Sequence, residues 1–178
     1  PEVARLLSSA AHAATPPSDD VVLFEGLDSR PFLISSQNEE AKAYFQQGFA
    51  LLYGFNHWEA IRAFKKAQAL DPECAICYWG EAMALGPNIN APMDAASGEQ
   101  ALSAMRQAQA LKQHANKREK ALIDAGSTRY SDDANLSRGV LDQRYAEALA
   151  ELTVKFPKDQ DIATLYAEAL MTTAPWDY

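Results

Sequence analysis

The sequence predicts an all-α fold built from stacked helical hairpins, and three observations carry that prediction. Alanine, the strongest helix former, fills 33 of the 178 positions. Residues 41–72 hold two apolar patterns of helical spacing, with a turn between them. Part of the first pattern returns 34 residues later, which is typical of a repeat protein.

The segment ahead of the helices is expected to be extended. Residues 21–24 and 31–34 are short apolar runs that could pair as a small hairpin, but Pro31 restricts the second run to a sheet edge. We therefore predict that residues 21–38 form an extended segment that packs on the first repeat. Ser35 to Glu39 then offer capping side chains for the first helix.

Residues 1–20 allow two interpretations. The chain begins at Pro1, and the small-x-small triplet Ala11-His12-Ala13 is similar to the end of a secretory signal. The segment is then a signal-peptide remnant of an exported, periplasmic protein. The alternative is a frayed, alanine-rich arm.

The first predicted hairpin lies in residues 41–72. Residues 53–56 form the turn, and Asp71-Pro72 ends the second helix because proline lacks the N–H that a helix needs. Small residues let the two helices approach each other, and large apolar ones fill the seam. The positions on the facing surfaces are Tyr44, Gly48 and Leu51, followed by Ala60, Phe64, Ala67 and Leu70.

A second copy follows, with an insertion. Tyr78, Ala82 and Leu85 stand 34 residues after Tyr44, Gly48 and Leu51, whereas Ala101 stands 41 residues after Ala60. Seven extra residues therefore lie in the proline-containing loop 86–92. An insertion at a repeat turn often serves binding, so Asn88 and Asn90 are candidate binding residues. The alternative is a tolerated surface insertion.

The rest of the chain predicts a third helix pair, at 117–130 and 136–156, and a further helix at 161–173. The helical domain 39–178 is thus divided into repeats at about 41–74, 75–115 and 116–159 and a half repeat at 160–178. On this last helix, Leu165, Ala167 and Leu170 are predicted to face inward, but the helix lacks a partner helix. We therefore expect further chain or another subunit to cover the carboxyl-terminal edge. Leu165, Leu170 and Trp176 are expected to touch that material or to form an exposed apolar patch.

Residues 41–111 resemble tetratricopeptide repeats, with Gln47 standing where the family pattern usually has leucine. Residues 22–178 resemble the amino-terminal part of a group of bacterial, exported tetratricopeptide proteins without a settled activity. This resemblance implies a right-handed superhelical stack that serves as a protein-binding scaffold or accessory subunit, not as an enzyme. It rests on the segments Leu23-Phe24-Glu25-Gly26-Leu27, Tyr53-Gly54-Phe55-Asn56-His57, Tyr78-Trp79-Gly80-Glu81-Ala82 and Gly86-Pro87-Asn88-Ile89-Asn90.

The resemblance also implies a partner-binding groove. Its lining residues are expected to be Phe45, Phe49, Tyr53, Trp79 and Met83. Aromatic residues replace the lysine and asparagine that the carboxylate-clamp subclass uses, so an apolar or aromatic partner segment is expected. The alternative is that these side chains pack beneath the amino-terminal segment.

Other site classes have weaker signals. Cys74 and Cys77 are expected to form a simple disulfide or to remain two small buried thiols. The competing hypothesis is a metal- or redox-linked periplasmic accessory protein that uses Cys74, Cys77 and His57. The common nucleotide, esterase and zinc-peptidase motifs are absent, so we expect no catalytic residue, no metal and no cofactor.

The charge balance argues against two kinds of partner. Lysine and arginine number 16 and aspartate and glutamate 24, which gives a net charge of −8. Because such a chain repels phosphate backbones, nucleic-acid binding is not expected. The longest apolar stretch, residues 49–55, is far shorter than the ~20 residues that span a bilayer, so no membrane span is expected.

Overall fold

The computed structural model describes residues 21–27 and 31–174, and this part of the chain is all-α, as predicted. It contains seven α-helices and no strand within those ranges, and none of these helices is long and apolar enough to cross a lipid bilayer. A short 3-10 helix at Lys112–His114 follows the fourth helix. The helices are α1 (Glu39–Tyr53), α2 (His57–Leu70), α3 (Ala75–Leu85), α4 (Ala95–Ala110), α5 (Lys117–Ser127), α6 (Arg138–Lys155) and α7 (Gln160–Thr173).

Side-chain caps fix several helix starts. Asn38 Oδ1 accepts the Glu40 and Ala41 backbone N–H groups at 3.0 Å each, which starts α1. Asn116 and Glu119 form a reciprocal capping box at the start of α5. Such caps satisfy backbone donors that a helix leaves unpaired, and each contributes about 1 kcal/mol.

Successive helices pack against one another. α1 packs with α2, α3 with α4 and α6 with α7, while α3 also contacts both α1 and α5. The third predicted pair differs from expectation, because α6 packs more extensively against α7 than against α5. The connection from α6 to α7 spans only residues 156–159, whereas residues 128–137 join α5 to α6. A short connection favours antiparallel neighbours, which explains the preference.

Two glycines mark equivalent close contacts between helices. A β-carbon at Gly80 of α3 would lie 2.5 Å from Cε1 of Phe64, a residue of α2. A β-carbon at Gly126 of α5 would lie 2.9 Å from Cε of Met105, a residue of α4. Phe64 and Met105 occupy the same position in the two predicted copies. The second helix of each copy therefore presses a large side chain onto a glycine of the next helix, a contact that alanine would obstruct.

The extended segment lies on α1 and is held there by glutamine side chains. Gln47 Nε2 donates to the Val22 carbonyl at 2.9 Å, and Gln47 Oε1 accepts the Phe24 N–H at 2.6 Å. Gln46 Oε1 accepts the Phe32 N–H at 2.6 Å. Gln47 is 4% exposed, and its buried amide thus binds the main chain of the segment.

The inward face of α7 differs from the expected one. Its buried side chains are Ile162, Leu165 and Ala169, which recur at helical spacing, whereas Ala167 and Leu170 are exposed. The prediction for Leu165 as an inward residue is thus confirmed, and those for Ala167 and Leu170 are wrong. The predictions for residues 1–20 and for Trp176 lie outside the described residues.

Candidate functional site

The row of residues predicted to line a groove is mostly covered. Phe45, Phe49, Trp79 and Met83 are buried, with at most 4% of each side chain exposed. The Phe32 ring of the extended segment lies over three of them, at centroid distances of 4.2 Å to Phe49, 5.5 Å to Phe45 and 5.9 Å to Trp79. This is the alternative arrangement, in which the aromatic row packs beneath the amino-terminal segment.

Arg118 also contacts Phe32. Its guanidinium lies 4.1 Å from the centre of the Phe32 ring, a cation–π contact. The same group forms ion pairs with Asp159 at 2.5 Å and Asp161 at 2.8 Å, both at the start of α7. Partial burial acts to raise the pKa of Asp159. The hydrogen bond and the charge of Arg118, together with the backbone N–H groups of Ile162 and Asp161, outweigh burial and leave that pKa below its ordinary value.

The aromatic row ends at an open cavity. The Tyr53 ring lies 4.7 Å from the Phe49 ring, but Tyr53 itself is 40% exposed. Beside it is a cavity of about 70 Å³, which we call the Arg129 cavity. Its walls come from α1, the turn between α1 and α2, α2, α3, α7, the loop after α3 and the turn after α5. The residues that define it are Tyr53, Phe55, His57, Met83, Arg129 and Glu168.

Arg129 is a charged residue with only 2% of its surface exposed. Its Nη2 donates to the Pro87 carbonyl at 2.8 Å, which holds the inserted loop, and lies 3.5 Å from Glu168 Oε1. The Tyr145 ring lies 4.7 Å from the guanidinium. The Nε of Arg129 is buried and has no hydrogen-bond partner among the described residues. A buried donor without a partner costs about 1–3 kcal/mol.

The guanidinium of Arg129 stays charged. Burial acts to lower its pKa, but interactions with Tyr130, Glu168, Tyr145 and Asp142 outweigh burial and raise it. Burial also raises the pKa of Tyr130, to about 12, and that of Tyr145 still further. Because both phenols are uncharged at neutral pH, Glu168 and Asp142 are the counter-charges that stabilise Arg129.

His57 and Phe55 flank the same cavity. Both ring nitrogens of His57 are buried without a hydrogen-bond partner among the described residues. The Phe55 ring, 52% exposed, lies 6.1 Å from the His57 ring. Phe55 has a φ of 58°, a left-handed conformation that is a genuine outlier for a bulky residue. Backbone strain of this kind clusters at functional sites.

The structure thus brings together some predicted site residues and separates others. Tyr53, Met83, Asn88 and His57 all line the Arg129 cavity. Asn88 also shapes the loop, because its Oδ1 accepts the Asn90 N–H at 2.9 Å. Sequence reasoning missed two central residues of the cavity, which stand in no recognisable motif and far apart in the chain. These are Arg129 and Glu168.

The cysteines lie elsewhere. Cys74 and Cys77 form a disulfide at the start of α3. Cys74 lines a separate, open cavity of about 610 Å³ together with His114, not with His57. Within the described ranges, no group of three or more His, Cys, Asp or Glu side chains is placed to hold a metal ion. The three residues of the metal- or redox-linked hypothesis are therefore not brought together.

No family model, curated protein or solved structure matches this chain.

Proposed function

We propose that the protein is an exported interaction scaffold or accessory subunit of tetratricopeptide type, without enzymatic activity, that binds a segment of a partner protein. In this proposal the hairpins stack as a right-handed superhelix. The equivalent contacts of Phe64 with Gly80 and of Met105 with Gly126 support a repeated stacking unit.

One observation carries the binding proposal: exposed aromatic side chains are concentrated around the α1–α2 turn. Tyr53 is 40% exposed, Phe55 52% and Trp58 62%, within six consecutive residues. Folding normally buries such side chains, and exposed aromatic residues are enriched at the centres of protein interfaces. The strained backbone of Phe55, at the mouth of the Arg129 cavity, also supports a binding role for this turn, because strained residues cluster at functional sites.

The binding surface differs from the one that the family resemblance implies. Phe45 and Phe49 lie under Phe32, so a partner reaches them only if the extended segment leaves. Tyr53 and Phe55 need no such rearrangement. Apolar side chains of Leu52 and Met83 lie behind them in the cavity wall, so an apolar or aromatic partner segment fits this surface best.

The test is a display selection with random peptides. The unchanged protein is expected to enrich peptides with an apolar or aromatic consensus, and Phe55→Asn is expected to lose them. Asparagine tolerates the left-handed conformation, so this variant should be more stable than the parent by roughly 1 kcal/mol rather than unfolded. Denaturant unfolding measures that difference.

The matched control is Val154→Asn, which removes an 82% exposed apolar side chain from α6. This variant should select the same peptides as the parent. Selection of the same consensus by Phe55→Asn, or no enrichment by the parent, would overturn the proposed surface.

A further inference from the structure

We propose that the Arg129 cavity binds a small zwitterion of the α-amino-acid class, whose carboxylate pairs with Arg129 and whose ammonium group pairs with Glu168. This inference goes beyond the proposed function, because the ligand is a free small molecule and not a partner protein. It rests on the charges, the unpartnered nitrogens and the size of the cavity.

The charges of the cavity favour a ligand with both signs of charge. Arg129 supplies a buried positive charge, and Glu168, whose side chain is 31% exposed, supplies a negative one 3.5 Å away. A lone carboxylate that approaches Arg129 is repelled by Glu168, and a lone amine that approaches Glu168 is repelled by Arg129. A zwitterion places an opposite charge beside each of the two residues, which already pair with each other, and adds no net charge.

The unpartnered nitrogens can bind a ligand that both accepts and donates hydrogen bonds. Arg129 Nε is a donor without an acceptor, and the two ring nitrogens of His57 also lack partners among the described residues. A carboxylate supplies the acceptors and an ammonium group supplies donors. Because such groups cost free energy while they are unpaired, a ligand that pairs them gains that energy on binding.

The dimensions of the cavity agree with this ligand class. A water molecule occupies about 30 Å³, so a cavity of about 70 Å³ holds only a few non-hydrogen atoms. The carboxylate, α-carbon and amino group of an amino acid are of that order. A side chain on the α-carbon then extends to the mouth, between the aromatic rings of Tyr53 and Phe55.

The experiment compares L-alanine with three close analogues on the full chain by calorimetry and NMR. Propionate lacks the amino group, ethylammonium lacks the carboxylate, and propionamide is uncharged. L-Alanine is expected to bind at least 10-fold more tightly than each of them and to shift the ring signals of His57 but not of His114. Equal or tighter binding by an analogue would overturn the proposal. So would no binding by any compound, which would mean that the cavity holds only water.

A charge variant tests the role of Glu168. In Glu168→Gln, binding of L-alanine should fall at least 10-fold, whereas binding of propionate should rise, because the repelling charge is gone. Glu151→Gln removes one charge from an exposed position of α6 and should change neither. If Glu168→Gln still prefers L-alanine over propionate by the same factor as the parent, Glu168 does not bind the ammonium group. These measurements contain no peptide, so the peptide selection succeeds or fails independently of them.

Discussion

Phe32 and Leu33 are neighbours in the chain with opposite environments. Phe32 is 3% exposed and packs among Phe45, Phe49 and Trp79, whereas Leu33 is 74% exposed. The alternation follows from the extended backbone, in which successive side chains point to opposite sides. The Phe32 side chain therefore adds apolar packing to the hydrogen bonds that hold the segment, while the Leu33 side chain contributes little.

Replacement of Phe32 with alanine is expected to lower the free energy of unfolding by about 3–5 kcal/mol, because it leaves a cavity among aromatic rings. Leu33→Ala is the matched control and should change that free energy by no more than about 0.5 kcal/mol. Denaturant titration followed by circular dichroism measures both. Equal effects of the two substitutions would contradict the packing described for Phe32.

The start of α7 depends on a carboxylate with two roles. Asp159 Oδ1 accepts the Asp161 and Ile162 backbone N–H groups at 3.1 Å each, which caps the helix. The same carboxylate pairs with Arg118 at the start of α5. α7 is thereby tied to α5 as well as to α6, and its Glu168 is carried to the Arg129 cavity.

This ion pair predicts how stability depends on pH. The pKa of Asp159 is lower in the folded chain than its ordinary value of 3.8, so its contribution is complete above that value. The contribution is lost as the pH falls through the lowered pKa. Asp159→Asn retains a capping oxygen but not the charge. Its stability deficit is therefore expected to be largest near pH 7 and to shrink below about pH 4.

Urea titrations of the parent and of Asp159→Asn at pH 7, 4 and 2.5 measure that deficit. In an Arg118→Gln background the charge-dependent part of the deficit should become smaller, because only the backbone N–H groups of Asp161 and Ile162 then favour the charged carboxylate. A deficit of the same size at all three pH values would show that only the cap, and not the ion pair, matters.

Across the whole molecule, local patterns in the sequence are enough to predict the helices. The turn at residues 53–56 and the proline after Leu70 are marked by residue type, and α1 and α2 lie where the spacing predicts them. The Arg129 cavity depends on contacts between Arg129, Glu168 and His57, which are distant in sequence. No spacing rule links such residues, so only the packing of α7 and of the inserted loop reveals the site.

The predicted groove likewise depends both on a local pattern and on contacts between residues that are distant in sequence. Helical periodicity correctly places Phe45 and Phe49 on one face of α1, but it carries no information about what lies over that face. A local sign is Gln47, a polar side chain among the buried residues of α1. Its hydrogen bonds to Val22 and Phe24 show that α1 is adapted to bind an extended main chain.

The last hairpin, α6–α7, leaves apolar side chains exposed, and their number predicts how the molecule behaves in solution. Leu170 is 45% exposed, Met171 51% and Val154 82%. Each such side chain forgoes up to about 1.5–3 kcal/mol of burial while it stays in water. We therefore expect the surface around Leu170 to be covered by another copy of the chain, by another subunit or by further chain.

Light scattering on the isolated chain tests this expectation. The parent should associate as its concentration rises, and Leu170→Glu should weaken that association by about 10-fold, because a carboxylate buried in an apolar interface costs at least ~1.4 kcal/mol. Gln107→Glu adds the same charge at an exposed position of α4 and should leave association unchanged. A parent that remains monomeric, with a Leu170→Glu variant no more soluble than it, would show that these side chains are simply tolerated in water.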